Sequence, residues 1–403
     1  MNNALEFLAR QYDNVVKYDN DGNPTILVRL RKMKSSDLDP SLPDHTHPAF
    51  IINGVEQDEI LIGKFKASEY GKDGKLASLP NVPPRVSLGA DAFLTRMRAF
   101  GNGASGMTVA DAGFILLLAQ KNGWDPKGNN HWGCDYRDGT PWEPAKEISE
   151  GTVRVFRGWE YTCLKTHTTS AELLPNESPL YWEKGRHIGG TPADPSQFHA
   201  DARYQGYNTL NGSGPNSWYL DGTPGSLCDI QGNCYEQNYG YRLVRCELQI
   251  MENNNAADPE ADLSASSAAW KAILPNKTDD GYTLVAPGTP GTLHWNWLNG
   301  KITLDTVEPT FDNEYRGTDF AALAVNTANL PYVPHIVREL GLFPTQGSSM
   351  RGYYYIHFTT EERFPRRGGD YSDASVAGLG YVYCVNARSS ASAIFGARPR
   401  SLV

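Results

Sequence analysis

The C-terminal stretch of the chain, residues 363–403, reads RFPRRGGDYSDASVAGLGYVYCVNARSSASAIFGARPRSLV. Its ends, 363–369 and 396–401, are rich in Arg and Gly and flank a middle of small, polar and aromatic residues. This middle has neither the alternation of a half-buried strand nor the period of an amphipathic helix. Tyr, Ser, Gly and Asn in a framed loop are typical of a paratope, because Tyr gives contact area at low entropy cost. An ordinary Ser/Gly-rich loop has the same composition, so both interpretations stand.

The absence of five residue types from the C-terminal stretch favours the interpretation as a paratope. Residues 363–403 contain no Trp, Met, Gln, Lys or Glu, although the rest of the chain uses all of them. None of these residues can be encoded by a codon that ends in a pyrimidine. Codons that began as AAC or AAT and were randomised at their adenines encode Asn, Asp, Tyr, Ser, Val, Ala, Ile and Phe instead. The composition is therefore the one expected of a segment diversified at adenines.

The bulk composition is that of a loop-rich globular protein. The chain has 403 residues, of which 40% are hydrophobic and 21% charged, and it can form one large domain or about two to three small ones. The net charge of −9 and the lack of a Lys/Arg run argue against nucleic acid as a partner. The apolar run at 114–119 is too short to cross a bilayer. The N-terminus lacks the pattern of a signal peptide, so we expect neither secretion nor membrane insertion.

Short strands mixed with a few helices and long loops predict an α+β fold. We expect an N-terminal arm at 1–40, which is an edge element or an attachment or oligomerisation arm, and a main domain at 41–403. Residues 151–187 have short strands with Pro/Asn/Ser turns and predict a small inserted β module. Thr108 and Asp111 have the spacing of a helix capping box. The predicted helices are 88–100, 109–122, 318–325 and 333–342, and the predicted strands lie in 25–34, 51–65 and 293–304.

An ordered set of motifs extends this prediction. These are HPAFIINGVEQDEILIGKF (47–65), SLPNVPP (78–84), KGNNHWG (127–133), GSGPNSWYLDGT (212–223), QGNCYE (231–236), RFPRRGG (363–369) and GARP (396–399). In this order they resemble phage structural proteins with the C-type-lectin-like fold of formylglycine-generating enzyme. Within that superfamily the chain looks most like the variable, target-binding proteins of diversity-generating retroelements, such as phage tropism determinants. The resemblance covers about residues 41–403, apart from the inserted module.

The resemblance implies a C-type-lectin-like fold and a non-catalytic receptor-binding role without a cofactor. It implies a phage or prophage tail protein that is made in the bacterial cytoplasm and carried on the virion, at the tail fibre or tip. The implied partners are a host cell-surface protein or glycan and other tail proteins, and a homotrimer is an assembly that it allows. The alternative function is an enzyme of the formylglycine-generating fold, or a glycan-binding component of a depolymerase.

The binding residues follow from the family's pattern together with the missing residue types. A surface that must accept many residues cannot depend on them for stability, so these side chains should point outward and add little to the core. Val376, Val385 and Ile394 should be exposed on one patch with Tyr381 and Tyr383, although apolar residues are ordinarily buried. The full expected set is Asp370, Tyr371, Ser372, Asp373, Val376, Tyr381, Tyr383, Val385, Ser390, Ser392 and Ile394.

The chain departs from the enzyme branch of the family at two positions. In that branch two catalytic cysteines lie five residues apart after a Gly-Gly pair, and the corresponding places here are Asp373 and Gly378. The oxidase chemistry needs thiolates as copper ligands and nucleophile, and Cys384 is out of register. The resemblance therefore implies a fold without this activity. The family's Gly-Asn-Val-Trp-Glu-Trp turn is also replaced, at 232–237, by GNCYEQ, which predicts altered aromatic packing at that corner.

Residues 157–184 resemble a small carbohydrate-binding module of the chitin-binding type. The candidate sugar-binding side chains are Trp159, Tyr161, Tyr181 and Trp182, because exposed aromatic rings stack on sugar faces. We expect Tyr161 and Trp182 to be the better candidates. In the opposing interpretation, Trp159 and Trp182 form the small core that so short a module needs.

Two sets of residues carry side chains that can bind metals, but neither set predicts a metal site. His45 and His47 have no Cys, Asp or Glu partners at ligand spacing, so we expect them to be exposed and to bind no metal. A second set supplies oxygens that suit calcium, but its spacing is irregular and favours turn-stabilising roles. Whether a structural calcium is bound stays open. The second set is Asp221, Asp229, Asn233 and Glu236.

The remaining reactive residues predict no active site. Glu361 and Glu362 are adjacent, so on a strand they point apart and cannot flank one glycosidic bond. Cys228 and Cys234 are near enough in sequence to pair or to share a metal, but plain burial as thiols is the favoured role. The same role is expected for the other four cysteines, Cys134, Cys163, Cys246 and Cys384.

Overall fold

The computed structural model describes residues 2–194, 196 and 207–403. The α-helices of this part are α1 (Asn2–Arg10), α2 (Ser35–Leu38), α3 (Ala90–Arg98), α4 (Val109–Asn122) and α5 (His335–Glu339). Short 3-10 turns lie at Pro48–Phe50, Asn216–Trp218, Asn255–Ala257, Phe320–Ala322 and Ala374–Val376.

The strands of the described residues are short and numerous. They are β1 (Asn14–Tyr18), β2 (Pro24–Arg31), β3 (Ile51–Ile52), β4 (Val55–Glu56), β5 (Glu59–Gly63), β6 (Ala67–Tyr70), β7 (Lys75–Ser78), β8 (Ala104–Gly106), β9 (Glu147–Ile148), β10 (Val153–Phe156), β11 (Trp159–Cys163), β12 (His167–Thr168), β13 (Trp182–His187), β14 (Tyr235–Gln237), β15 (Tyr241–Val244), β16 (Glu247–Ile250), β17 (Lys271–Pro275), β18 (Tyr282–Val285), β19 (His294–Leu298), β20 (Lys301–Asp305), β21 (Tyr315–Asp319), β22 (Ala324–Val325), β23 (Tyr353–His357), β24 (Arg366–Gly368), β25 (Gly378–Cys384), β26 (Phe395–Gly396) and β27 (Pro399–Ser401).

Three larger sheets organise these strands. The N-terminal sheet has the order β1-β2-β5-β27-β8, so β27, near the end of the chain, lies between β5 and β8, which both come from residues 59–106. The hairpin sheet has the order β18-β17-β16-β19-β20-β22, with β15 paired to β16. The tyrosine sheet has the order β21-β23-β25-β24-β14-β26. With few helices among many mainly antiparallel strands, the fold is α+β, and this prediction is confirmed.

Helix α4 lies in the main hydrophobic core, and it matches the predicted helix 109–122. The predicted capping box is present, since Asp111 N donates to Thr108 Oγ1 at 3.1 Å and Thr108 N donates to an Asp111 carboxylate oxygen at 3.0 Å. The helix packs closely against α5, because a Cβ built on Gly113 would overlap the carbonyl oxygen of Glu339. Only Gly lets the two backbones approach so closely.

The other predicted elements agree only in part. Predicted helix 88–100 contains α3, and 333–342 contains the shorter α5. The predicted helix 318–325 is wrong, because that segment is the end of β21, a 3-10 turn and β22. Thr318 pairs with Tyr354 across the tyrosine sheet, and its hydroxyl accepts a hydrogen bond from Ile302 N at 2.9 Å. Pairing with distant strands thus overrides local helix propensity.

The two ends of the C-terminal stretch are held by buried polar contacts. Arg398 Nη2 lies 2.7 Å from Glu236, and Lys66 Nζ lies 2.7 Å from the same carboxylate. All three side chains are at most 1% exposed. Arg367 donates to the carbonyls of Leu340 and Gly341 at 2.9 and 3.0 Å. These contacts join β14, β24 and the start of β27 to the core.

A small sheet, β10-β11-β13, lies in the segment predicted to be an inserted module. A two-stranded pair, β9 and β12, accompanies it. This part of the described chain has a cluster of buried apolar side chains of its own, namely Trp142, Ile148, Phe156, Tyr161, Cys163 and Trp182. The cluster begins before residue 151, because Trp142 and Ile148 belong to it.

Candidate functional site

The outer side of the tyrosine sheet carries a row of aromatic side chains. Strands β23 and β25 are parallel, with Tyr355 opposite Tyr383 and Tyr354 opposite Val382. Side chains alternate along a strand, so Tyr354 and Val382 face the core while Tyr353, Tyr355 and Tyr383 face the other side. Tyr354 and Val382 are fully buried, and the others are half-buried.

Neighbouring strands complete this surface. Tyr235 on β14 stacks on Tyr383 with ring centroids 5.2 Å apart and on Tyr381 at 5.5 Å. The hydroxyls of Tyr235 and Tyr381 are 3.0 Å apart, within hydrogen-bond distance. Tyr353 packs against Tyr355 at 5.0 Å. We call this cluster the tyrosine face; it consists of Tyr235, Tyr353, Tyr355, Val376, Tyr381, Tyr383, Ile394 and Phe395.

Two carboxyl groups, Asp370 and Asp373, lie beside the tyrosine face. Asp370 N donates to Asp373 Oδ2 at 2.9 Å, and Asp370 Oδ1 accepts from Ser372 N and Oγ, both at 2.7 Å. Burial raises the pKa of Asp370. Burial, followed by the charge of Asp370, raises the pKa of Asp373 to about 7, although the hydroxyls of Tyr235 and Tyr381 oppose the shift. The site thus contains an acid that changes charge near neutral pH.

Arg366 supports the tyrosine face from below. It is fully buried, and its guanidinium carbon lies 3.9 Å from the ring centroid of Phe395. Its Nη2 donates to the carbonyls of Ala387 and Ser390 at 3.3 and 3.4 Å. Burial lowers the pKa of Arg366 to about 10, so the group is still charged at neutral pH. This arginine fixes the backbone of the loop between β25 and β26 without using the loop's side chains.

The expectation that all the predicted binding side chains point outward is wrong for Asp370, Tyr371 and Tyr381, which are buried. Asp370 is turned inward by its two bonds to Ser372. Tyr371 packs against Trp132, with centroids 5.2 Å apart. Tyr381 lies between Tyr235 and Tyr355. Their rings and carboxyl groups form part of the support of the surface.

The three apolar test residues also deviate from the expectation. Val376, Val385 and Ile394 are half-buried, not largely exposed. Val376 and Ile394 do lie in one cluster with Tyr381 and Tyr383, because they pack on the rings, whereas Val385 lies outside that cluster. Ser372 is exposed, and the other predicted side chains are half-buried, namely Asp373, Tyr383, Ser390 and Ser392.

The preference for Tyr161 and Trp182 as sugar-stacking residues is wrong. Both are buried in the core of the small β module, at 3% and 2% exposure, because a unit this small has few other large apolar side chains. Trp159 and Tyr181 are half-buried at its edge. Lys184 Nζ lies 3.5 Å from the ring centroid of Trp159 and covers that face of the indole.

Sequence reasoning missed Tyr235, Tyr353, Tyr355 and Phe395, whereas Arg366 belongs to 363–369, one of the two segments that flank the predicted binding loop. For Tyr353 and Tyr355 a signal existed, since YYYIHF at 353–358 alternates as a strand with two different faces does. For Tyr235 and Phe395 no signal existed, because β14 and β26 pair in parallel although these two residues are 160 positions apart in the chain.

Of the two histidines expected to be exposed, His45 is exposed and His47 is not. His47 is fully buried, so its predicted exposure is wrong; its Nδ1 accepts from Ala49 N at 3.1 Å. His45 does have a carboxylate partner, because its Nε2 lies 2.6 Å from Glu339 Oε1. Each calcium candidate has a hydrogen-bond or ion-pair partner: Asp221 with Thr223, Asp229 with Gly212, Asn233 with Thr209, and Glu236 with Arg398. Asp229 uses only Oδ2 for this, and its Oδ1 is buried without a hydrogen-bond partner among the described residues.

The thiols and the paired glutamates are engaged in the core and in ion pairs. All six cysteines are buried free thiols, as predicted. Burial raises the pKa of Cys384 to about 12, so it is a thiol at neutral pH. A Cβ on Gly378 would overlap the carbonyl oxygen of Arg351, so this place has no room for a cysteine side chain. Glu361 pairs with Arg363, whereas Glu362 pairs with Arg242 and Arg388.

No protein-family model matches the chain, and no curated protein matches it significantly in sequence. Among the described residues, the structure has no helix with the length and apolar character required to span a membrane.

Proposed function

We propose that this chain is a non-catalytic binding protein whose tyrosine face recognises a protein or glycan on the surface of a host cell. The observation that carries the proposal is the aromatic surface on β23 and β25, where Tyr353, Tyr355 and Tyr383 are half-buried beside the exposed Ser372. Tyrosine rings that are already fixed by neighbours lose little entropy on binding. Their hydroxyls supply hydrogen bonds while their rings supply apolar contact.

We further propose that the chain is a variable protein of a diversity-generating retroelement with a C-type-lectin-like fold, carried on a phage or prophage tail. The segment that lacks the five residue types supplies much of the tyrosine face. The loop between β25 and β26 is held through its backbone by Arg366. Such a loop tolerates changes of the side chains that do not hold it, whereas Arg388, which is buried and pairs with Glu362 and Asp91, is part of its support.

A role without the oxidase chemistry is supported by the surroundings of Gly378 and Cys384. A side chain at Gly378 would overlap the carbonyl oxygen of Arg351, and Cys384 is a buried thiol. Copper-dependent oxidation of a Cys-containing peptide by the purified chain is the measurement that would overturn this part of the proposal.

Binding is tested with the fluorescently labelled full chain on a panel of bacterial cells. In Tyr383→Ser, a ring of the tyrosine face is lost, and we expect cell binding to weaken at least about tenfold, since truncation of an aromatic anchor costs about 2 kcal/mol or more. Tyr332→Ser is the matched control, because Tyr332 is an exposed tyrosine outside the face. Equal binding by the two variants contradicts the proposal.

The proposal that a retroelement diversifies the gene has a test of its own. We expect a reverse transcriptase gene beside the gene for this chain and a nearby repeat that matches the codons of its C-terminal stretch except at adenines. Sequencing of clonal populations should then show substitutions confined to residues 370–394. Diversification elsewhere in the chain, or none, contradicts the retroelement but leaves the binding test intact.

A further inference from the structure

One side chain from the loop before β3 meets two side chains of α5, which lie about 290 residues further along the chain. They are His45, His335 and Glu339, and their ligand atoms all lie within 4.8 Å of one another. His335 and Glu339 are the first and last residues of α5. Four residues apart on a helix, they share one face. The group lies apart from the tyrosine face and has no part in the proposed function.

Glu339 supplies a buried carboxylate with an unused oxygen. Its side chain is 0% exposed. Oε1 accepts a hydrogen bond from Ser35 Oγ and lies 2.6 Å from His45 Nε2. Oε2 is buried and has no hydrogen-bond partner among the residues that the structure describes. A buried carboxylate oxygen without a partner is costly, so the site favours a cation at this oxygen.

His335 supplies a second acceptor, its Nε2, close to Glu339 Oε2. Its Nδ1 lies 2.9 Å from the carbonyl oxygen of Asp280. Because a carbonyl only accepts, Nδ1 carries the proton, and the neutral ring then has its lone pair on Nε2. That Nε2 lies 4.0 Å from Glu339 Oε2. A histidine whose other nitrogen donates to a backbone carbonyl is the usual arrangement of a metal ligand.

The distance between His335 Nε2 and Glu339 Oε2 is too long for the two atoms to share a proton, but a metal ion can bridge it. At 4.0 Å the atoms are too far apart for a hydrogen bond, whose heavy atoms are at most about 3.2 Å apart. A tetrahedral zinc ion bound at about 2.0–2.1 Å to nitrogen and about 2.0–2.2 Å to oxygen holds the two ligand atoms about 3.4 Å apart, so binding requires them to approach by about 0.6 Å.

His45 closes the site on the solvent side. Its side chain is 44% exposed, against 15% for His335. The two imidazoles are edge to face, with centroids 5.5 Å apart. Tyr282 packs on the other side of His335, at 5.2 Å. An ion can therefore enter past His45 and keep a water molecule there.

The neighbouring His47 is not a ligand. Its Nδ1 accepts from Ala49 N, and its Nε2 lies 3.0 Å from the Glu339 carbonyl oxygen, to which it donates. Both nitrogens are therefore in use. His47 instead fixes the backbone at Glu339.

We propose that His45, His335 and Glu339 bind one divalent transition-metal cation of the zinc class, with release to solvent of the proton that His45 Nε2 shares with Glu339 Oε1. Two imidazoles and a carboxylate suit zinc, cobalt or nickel better than calcium or magnesium, which prefer oxygen ligands. The ion ties the loop before β3 to α5. The site is an addition to the protein's proposed role and does not depend on it.

The test uses the full chain without a histidine tag, stripped with a chelator and titrated with Zn²⁺ by calorimetry. We expect saturation at one ion per chain and a rise in the melting temperature, because the ion binds only the folded state. Co²⁺ should give the visible absorption of a site with nitrogen and oxygen ligands. If Zn²⁺ does not saturate at one ion per chain, the proposal is wrong.

Variants assign the ligands. His335→Gln should weaken Zn²⁺ binding at least about tenfold, while the contact of His45 with Glu339 is kept. His45→Ala should weaken it as well; because this change also removes a partner of the buried Glu339 carboxylate, the melting temperature of the metal-free variant is compared with that of the metal-free parent chain. His294→Gln is the matched control, since His294 Nδ1 also lies 3.0 Å from a backbone carbonyl, that of Thr292. Binding that persists in His45→Ala, or that His294→Gln weakens equally, overturns the assignment.

Discussion

Glu236 is a buried carboxylate that holds two cations from distant parts of the chain. Lys66 follows β5 and Arg398 precedes β27, and both contact Glu236 at 2.7 Å. In Glu236→Gln the charge is lost, and two buried cations lose the carboxylate with which they form ion pairs. We expect the free energy of unfolding to fall by about 3–5 kcal/mol, measured by urea denaturation.

The control for this prediction is an ion pair at the surface. Glu308 and Arg245 lie 2.5 Å apart and are 43% and 51% exposed. Solvent screens such a pair, so Glu308→Gln should cost at most about 1 kcal/mol. If the two variants lose the same stability, the buried group does not organise the fold as the geometry indicates.

Asp373 makes stability depend on pH. Its pKa is raised to about 7, mainly by burial, whereas in the unfolded chain the carboxyl has its ordinary pKa near 4. Between these values the folded state binds more protons than the unfolded state, so the free energy of unfolding falls as pH rises from about 4 to about 7. Urea midpoints at pH 5 and pH 7.5 should therefore differ less in Asp373→Asn than in the parent chain.

The exposed Asp312 gives a matched comparison. Arg316 holds the pKa of this carboxyl down, at about 2, so it does not titrate in that interval. Asp312→Asn should leave the difference between the two midpoints unchanged. If Asp373→Asn also leaves it unchanged, Asp373 is not the group responsible.

At the residue scale, the chemical state of a side chain is easier to predict from this sequence than its burial. The six thiols were placed correctly because Cys is small and apolar enough to be buried wherever it occurs. Tyr381 and His47 were expected at the surface and are buried. Their burial depends on partners 146 and 292 residues away, Tyr235 and Glu339. Local composition contains no information on such partners.

The contact of α4 with α5 is a close approach of two backbones. Gly113→Ala would raise helix propensity by about 1 kcal/mol in an isolated helix. Here the added methyl overlaps the Glu339 carbonyl, so we expect a net loss of about 1–3 kcal/mol, as in overpacked cores. Thermal unfolding measures the change. Lys121→Ala, at an exposed position of the same helix, should stay within about 0.5 kcal/mol, and a stabilising Gly113→Ala would contradict the packing.

The small β module should unfold separately from the rest. Trp182 is in its core with Phe156 and Tyr161, and loss of a buried Trp costs about 3–5 kcal/mol. In Trp182→Ala we expect fast amide hydrogen exchange at 147–187 and unchanged exchange in α4. Trp159→Ala, at the edge of the module, is the control with a smaller effect. Faster exchange throughout the chain would mean that the segment is part of the main fold.

At the element scale, sequence prediction succeeded where local signals agree. Residues 109–122 combine a capping box with a continuous apolar run, and α4 has those bounds. Residues 318–325 have the small residues of a helix, but β21 and β22 need their backbone for pairing. The order of strands in the tyrosine sheet was beyond sequence reasoning, because it joins residues 235–237 to 395–396 in parallel.

On the scale of the whole molecule, the C-terminal stretch both stabilises the fold and presents a surface loop. Different residue types serve these two roles. Its arginines are in the interior: Arg366, Arg367, Arg398 and Arg400 are all buried. Its Ser and Val residues at 385, 390 and 392 are half-buried at the surface. The framework is thus fixed by arginines, including the buried Arg388 inside the loop between β25 and β26, which pairs with Glu362. The half-buried Ser and Val side chains of that loop are free to change.

This division gives a test on stability and binding together. A combined variant, Val385→Asn, Ser390→Tyr and Ser392→Asp, uses only residues that pyrimidine-ended codons encode. Because these side chains add little to the core, we expect its melting temperature to change less than that of Tyr381→Ala, in which a ring at 1% exposure is lost at about 3 kcal/mol or more. Cell binding should nevertheless be lost or redirected in the combined variant. If instead it unfolds at a lower temperature than Tyr381→Ala, the loop is part of the core and the variable surface must be sought elsewhere.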